Sequence, residues 1–470
     1  MRRGAWAGLA IVGVVLVGLG ASSVRPVPTG VVPALSDSQG RDLVLRGFST
    51  ANSSKSSPDG LPVFSRDDLA TERADMGTNF VRFLISWRAV EPEPGVYDEA
   101  YLDQVAQRVR WYDQAGYKVM LDMHQDLWGP EIIPGTGRGN GAPGWATHTD
   151  GLPIAEHEMW ELYYLEPGVI RAFDNFWNTT GKHPGLREHY VGAWQAVASR
   201  FADDDTVIAY DLMNEPYGGS LQGPAFEAGP LTALYQRTTE AIREVDQDTW
   251  VCVEPQAMGV NWGTPSGLEP IEDPRDGEPR VAYCPHVYPL PMDLGGGYEG
   301  TTRTLVEGTL ETWRVNTLRT AEELGDVPVV LGEFGLDTTR PGALDYVRDV
   351  FEIAERHGFA VAYWSRDAGT WGPYEEDGTP RNLVSVINRA HPRAVAGEVG
   401  RIVTTSTERL VFEVTPDPTV DAPTEIYLPV SFGVSPRVVS GAEVTGWDVR
   451  RRILAVQLEP EATRVVVEAG

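Results

Sequence analysis

Cysteine is almost absent: Cys252 and Cys284 are the only two in 470 residues. That excludes a cysteine-rich framework and a four-cysteine zinc site, and leaves either one disulfide or two buried thiols. Basic residues are also scarce. Lysine plus arginine total 39 against 67 aspartate plus glutamate, a formal net charge of −28. Phosphate backbones need a basic face, so a nucleic-acid partner is excluded, and so is electrostatic docking to anionic lipid. Lysine itself occurs only as Lys55, Lys118 and Lys182, which singles each of them out. No glycine-rich phosphate turn follows an early strand, which argues against a doubly wound nucleotide-binding sheet. No HExxH pattern is present, since His157-Glu158 is followed by Met159-Trp160-Glu161. No metal, other cofactor or protein partner is implied.

The one long apolar run lies at the amino terminus. Arg2 and Arg3 precede an apolar stretch from Ala5 to Gly18, followed by Gly20, Ala21, Ser22 and Ser23. This is the charge, hydrophobe and small-residue order of a secretory signal. Residues 1–23 are therefore expected to direct secretion, with an uncleaved membrane anchor as the alternative. Residues 24–40, rich in proline, valine and serine, read as a linker or lead-in strand.

From residue 41 to 395 short apolar strands alternate with amphipathic helical stretches. Strands are expected at Leu43–Phe48, Asn79–Leu84, Lys118–Met123, Thr206–Leu212, Thr249–Val253, Val281–Val287, Val327–Gly332 and Phe359–Trp364. Eight strands alternating with helices predict a parallel (β/α)8 TIM barrel. One connection, from Gln125 to about Gly185, is long and rich in glycine, proline and tryptophan. In a barrel such a loop covers the carboxyl ends of the strands, where the chemistry is done. From 396 to 470 the helical patterns stop, and short alternating runs predict a small antiparallel β-sandwich.

Two glutamates carry the strongest chemical signal. Glu215 ends Ala209-Tyr210-Asp211-Leu212-Met213-Asn214-Glu215-Pro216, after the fourth strand, and Glu333 ends Val330-Leu331-Gly332-Glu333, after the seventh. Charge at a buried strand end is expensive unless it has a partner or a task. Two carboxyls facing each other across a barrel mouth suit glycoside hydrolysis, one protonating the departing oxygen and one attacking the anomeric carbon. Arg82 sits inside the second strand, where it can hold a carboxylate ionised. Period-two alternation puts Asp122, His124 and Asp126 on one side of the third strand, and His286 and Tyr288 on one side of the sixth. Trp364 ends the eighth, where its ring can stack on a sugar.

Arg82, His124, Asn214-Glu215-Pro216, His286-Val287-Tyr288, Gly332-Glu333-Phe334-Gly335 and Trp364 resemble, in order and strand, the catalytic set of glycoside hydrolase family five. Within that family the chain is similar to the endoglycoceramidases. The likeness lies in Leu45-Arg46-Gly47-Phe48-Ser49-Thr50 with Ser54-Lys55, in Asp122 to Gly129, in Ala172 to Trp177 and in Met213 to Gly219. The resemblance implies hydrolysis of the bond between glycan and ceramide in a glycosphingolipid presented at a membrane or micelle surface, with retention of configuration and no cofactor. A cellulase-like or steryl or lipid β-glucosidase of the same family is the alternative. By the same resemblance Glu215 is the acid/base and Glu333 the nucleophile, with their carboxyls roughly 5 to 5.5 Å apart. Tyr288 and Arg82 would keep Glu333 ionised, Asn214 would hold the sugar 2-hydroxyl, and Lys55 with Asp126 would grip the first sugar's outer hydroxyls. Apolar loop residues, Trp160 and Trp177 among them, would support or line an alkyl-chain channel, or else cover the barrel top against one another.

Overall fold

The computed structural model describes residues 28–50, 52–132 and 139–470. The expected secretory signal lies outside them. Two short strands, β1 (Leu35–Ser36) and β2 (Asp42–Leu43), precede eight parallel ones: β3 (Arg46–Ser49), β4 (Phe80–Ile85), β5 (Lys118–Met123), β6 (Val207–Asp211), β7 (Trp250–Val253), β8 (Val281–Tyr283), β9 (Val330–Leu331) and β10 (Ala360–Tyr363). The sheet order is β8-β7-β6-β5-β4-β3-β10-β9. Parallel bridges Tyr283↔Val329 and His286↔Glu333 join its two edges, so the sheet closes into the expected barrel.

The barrel strands are buried on both faces, as their near-continuous apolar sequences require. Alternation sorts their side chains. Val81, Phe83 and Ile85 of β4 pack outward against the helices. Phe80 points into the lumen with Leu45, Met120, Ala209, Trp250, Cys252, Ala282, Cys284, Val330, Ala360 and Ala362. Helix Glu99–Ala115 is typical of the outer layer. Asp98 caps its first turn, Gly116 ends it in the left-handed region, and Leu102, Val105, Ala106 and Val109 recur at helical spacing on its buried face.

Leu43 does not open the first barrel strand, as the sequence suggests. It pairs with Leu35 and Ala394, and the barrel strand begins at Arg46. Leu35, Leu43 and Ala394 close the amino-terminal end of the lumen with an apolar plug. The chain then continues in β11 (His391–Val395), β12 (Gly397–Thr405), β13 (Arg409–Pro416), β14 (Thr424–Tyr427), β15 (Arg437–Ser440), β16 (Ala442–Asp448), β17 (Ile453–Leu458) and β18 (Arg464–Glu468). These form two antiparallel sheets, β1-β2-β11-β14-β17-β16 and β12-β13-β18-β15. Phe412, Ile426, Leu454, Val456 and Val465 fill the space between them. The sandwich thus recruits two strands from ahead of the barrel and sits at the end opposite the strand carboxyl termini.

Cys252 and Cys284 are joined in a disulfide across neighbouring strands, with Cα atoms 5.8 Å apart. It closes a separation of 32 residues. Replacing both cysteines by alanine is expected to lower stability by about 3–4 kcal/mol, mainly by freeing the unfolded chain. Equilibrium denaturation without reductant measures this. A midpoint equal to that of the parent protein would mean the bridge does not form.

Candidate active site

The lumen-facing register that places the disulfide also builds the floor of the site. Two residues beyond Cys252 comes Glu254, and two beyond Cys284 comes His286. Asp122 and His124 continue the inward row of β5, and Asp211 ends that of β6. Arg82, fully buried in β4, reaches the three carboxylates among these, Asp122, Asp211 and Glu254. Its Nε donates to Asp211 at 2.7 Å, Nη1 to Glu333 Oε1 at 2.7 Å, and Nη2 to Asn214 Oδ1 at 2.8 Å and Glu254 Oε1 at 2.7 Å. Asp122 is 3.1 Å from Nη2. Burial works against this cation, but Asp122, Asp211, Glu254 and Glu333 hold it well above the ordinary arginine range. The fork shape of guanidinium lets one side chain orient several partners at once.

Glu333 is held at both oxygens, Oε1 by Arg82 and Oε2 by the Tyr288 hydroxyl at 3.0 Å. Burial pushes its carboxyl up, while His286 and Arg82 pull against that rise. Glu215 follows β6 in the left-handed region, at φ 43°. A non-glycine residue there is held at a cost of order 1–2 kcal/mol. Its N–H donates to Glu254 Oε2 at 2.8 Å, and its C=O accepts from Gln125 Nε2 at 3.0 Å. Its Oε1 accepts from Asn261 Nδ2 at 2.8 Å and lies 3.1 Å from His286 Nδ1. One carboxylate oxygen of Glu215 and one of Glu333 lie within 4.8 Å of each other and of a His286 ring nitrogen. The Asn214 amide is fixed on both sides, accepting from Arg82 and donating to the Gln125 carbonyl at 3.0 Å.

Beside this pair lies a second, more open group. Lys55, on the short helix Ser53–Ser56, is 2.8 Å from Asp126 Oδ2 and 4.2 Å above the Trp364 ring. Asn140 donates to the same Asp126 oxygen at 2.7 Å. His124 stacks on Trp364 at 5.7 Å, with Nδ1 2.7 Å from Asp122 and Nε2 3.3 Å from Asp126. Burial and Lys55 would lower His124, but the two aspartates outweigh them and raise it. Asp126 is buried, yet Lys55 and His124 hold its carboxyl well below the usual range.

The structure thus brings Lys55, Arg82, His124, Asp126, Asn214, Glu215, His286, Tyr288, Glu333 and Trp364 together at one rim. Trp177 is elsewhere. It is buried against Phe176 and Phe226, and its indole N–H donates to the Tyr217 carbonyl at 2.8 Å, so it braces the loop after Glu215. Trp160 begins the turn Trp160–Leu165, and its side chain lies outside the described part of the protein. Of the other apolar loop residues, Leu127, Trp128, Ile132 and Tyr163 are buried and pack over the barrel top. Met159, Leu165 and Leu294 remain exposed.

Sequence reading missed Glu254, Asn261 and Asp211. Glu254 carried a legible signal, because it continues the inward alternation of Trp250 and Cys252 one step past the expected strand end. Asn261 carried none, lying in an irregular stretch after Ala257–Val260. Two groups have spacing suited to a metal ion among the described residues, Glu215–His286–Glu333 and Asp122–Asp211–Glu254. In both, a protein cation already sits among the carboxylates, His286 in the first and Arg82 beside the second.

A parallel barrel with paired glutamates and a buried arginine at its carboxyl-terminal rim defines a glycoside hydrolase site. The family model described as Cellulase (glycosyl hydrolase family 5) matches residues 36–369. The chain belongs to glycosyl hydrolase family 5. It is 30% identical over 390 residues to Endoglycoceramidase I of Rhodococcus hoagii strain 103S, covering 78% of this chain and 73% of that one. It is also similar to Endo-glycoceramidase II from Rhodococcus sp. in its ganglioside GM3 complex, with 60% identity, 93% of this chain and 99% of that chain covered, and a TM-score of 0.91. The same enzyme solved as a lactosyl-enzyme intermediate gives 59% identity, 92% and 98% coverage, and a TM-score of 0.89.

Proposed function

We propose that this chain is an endoglycoceramidase: it hydrolyses the bond between glycan and ceramide in glycosphingolipids, releasing intact oligosaccharide and ceramide with retention of configuration. The observation that carries the mechanism is the approach of Glu215 and Glu333 oxygens to within 4.8 Å. Retaining glycosidases hold their carboxyls about 5–5.5 Å apart, whereas inverting ones leave about 6.5–9.5 Å for a water. The lactosyl-enzyme intermediate of the relative agrees with a covalent route.

In the first step the Glu333 carboxylate attacks the anomeric carbon and forms a glycosyl ester. The bond to the ceramide oxygen breaks, and that oxygen takes the proton of Glu215. In the second step Glu215 accepts a proton from water, the resulting hydroxide attacks the same carbon, and Glu333 leaves as carboxylate. Tyr288 and Arg82 orient Glu333 for attack. Asn214, locked by Arg82 and Gln125, has a further amide hydrogen for the sugar 2-hydroxyl. Trp364 supplies the stacking floor, and Lys55 with Asp126 and His124 supplies donors and acceptors for outer hydroxyls.

An apolar leaving group has a fitting surface. Burial, reinforced by the charges of Glu161 and Glu215, pushes the Asp293 carboxyl well up. Glu161 lies in the long connection after β5 and Asp293 in the loop after β8. These segments carry exposed Met159, Leu165 and Leu294, which suits contact with alkyl chains at a membrane or micelle surface. The disulfide suits an oxidising destination, and with the amino-terminal charge and hydrophobe order it supports secretion. Mass spectrometry of products from lactosylceramide and a ganglioside, run beside soluble cellulose and a steryl glucoside, tests the substrate class. Intact oligosaccharide and ceramide are expected. Turnover of only the soluble glycan or the steryl glucoside would reject the glycosphingolipid reading.

A further inference from the structure

The reaction just described uses Glu215 and Glu333 and leaves a third glutamate of the rim without a role. Glu254 is 1% exposed. A carboxylate at that depth is destabilising unless its oxygens are fully used, and here they are. Oε1 accepts from Arg82 and lies 3.2 Å from His286 Nε2, while Oε2 accepts the Glu215 N–H at 2.8 Å. The opposite ring nitrogen, His286 Nδ1, is 3.1 Å from Glu215 Oε1 and 4.0 Å from Glu333 Oε2. The imidazole thus bridges Glu254 to the reacting pair. Neutralising Arg82 does not account for Glu254, because Asp122, Asp211 and Glu333 already surround that cation.

We propose that Glu254 is a positioning residue for the reaction: its charge, 3.2 Å from Nε2, holds His286 as an imidazolium whose Nδ1 faces Glu215, and it pins the left-handed backbone of Glu215. This rests on Glu215 and Glu333 being the catalytic pair. The charged and titratable groups facing His286 are Glu215, Glu254 and Glu333, with Arg82 across Gly332 and Tyr288 on the same segment. Burial and Arg82 oppose a charged ring. The carboxylates outweigh burial and carry His286 well above its ordinary value, Glu254 first among them. Glu254 is itself held low, since His286 and Arg82 overcome its burial. Asp211, crowded by burial and by Glu254, is pushed well up. A raised histidine keeps its charge through neutral pH and loses it only on passing its folded value. Removing Glu254 therefore moves that loss to lower pH.

The test is a titration of protein carrying ¹³Cε1-labelled histidine, with His286 assigned from the His286→Asn spectrum. In the parent protein the His286 resonance is expected to stay at its imidazolium position between about pH 5 and pH 8. In Glu254→Gln it is expected to titrate inside that range. The kcat on an aryl lactoside should fall about 10- to 100-fold, the range found when the partner behind a metal-bound histidine is removed. A purely structural role would lower the thermal midpoint without moving the titration. If Glu254→Gln fails to fold, Glu254→Asp, which retracts the charge by one methylene, should show a smaller shift in the same direction. An ordinary titration of His286 in the parent protein would overturn the proposal, as would a variant with unchanged titration and kcat. Because the titration needs no substrate, a parent protein inactive on glycosides would reject only the catalytic reading.

Discussion

Glu333→Gln is expected to lower kcat/KM on any glycoside by about four orders of magnitude or more, the scale on which losing a bond-forming group is felt. Glutamine fits the same space, keeps its carbonyl for Arg82 and can turn its NH2 to the Tyr288 hydroxyl oxygen, so folding should be little changed. Only the attacking charge is lost. Small nucleophiles separate the two roles. With Glu333→Gly, azide can enter the vacated side and attack the anomeric carbon directly, giving a glycosyl azide of inverted configuration. With Glu215→Ala, the glycosyl ester on Glu333 still forms from an activated aryl glycoside, and azide then gives the retained product. NMR of the two azides reads the configurations. The same configuration from both variants would end the assignment of roles, and a fully active Glu333→Gln would end the mechanism. Parent activity should also fall on acidification from above the ordinary glutamate range. The nucleophile must be ionised, and burial raises Glu333 against the pull of His286 and Arg82.

Arg82→Met is expected to be the most destabilising single change at the site. The variant would leave Asp122, Glu254 and Glu333 buried without the cation that now touches all three. Breaking one buried ion pair typically costs about 3–5 kcal/mol, because the remaining charge stays desolvated. Here three carboxylates are left, so loss of the folded state at physiological temperature is a reasonable outcome. Arg82→Lys keeps one charge but cannot fork between Asp211, Asn214, Glu254 and Glu333. It should fold and lose most of its kcat. Thermal unfolding with kinetics on the same preparations measures both effects. An Arg82→Met protein as stable as the parent would show that the carboxylates do not depend on Arg82.

Glu215, Glu333, Arg82, His286, Tyr288 and Trp364 were legible because each lies at or just past an apolar strand, where a polar residue is conspicuous. Most barrel strands were legible for the same reason, and Lys118–Met123 matches its expected bounds. Other features were less visible. Leu43 looks like the start of a barrel strand, but its partners Leu35 and Ala394 come from both ends of the barrel chain. The alternation of β12 is broken by register shifts, and β16 is largely exposed. Trp177 looked available to a substrate, yet its indole is spent on the Tyr217 carbonyl.

The sequence alone determined the barrel, the sandwich after it and the strand-end positions of Glu215 and Glu333. Hydrophobic periodicity and charge at strand ends are local properties that survive without coordinates. Only the tertiary structure decided how those carboxylates are managed. The parallel strands bring Arg82, Glu254 and His286 from three separate stretches of chain into one buried network. Whether a buried carboxylate reacts, or holds the residue that does, depends on distances of 2.7 to 4.0 Å across that network. The order of residues along a chain does not contain those distances.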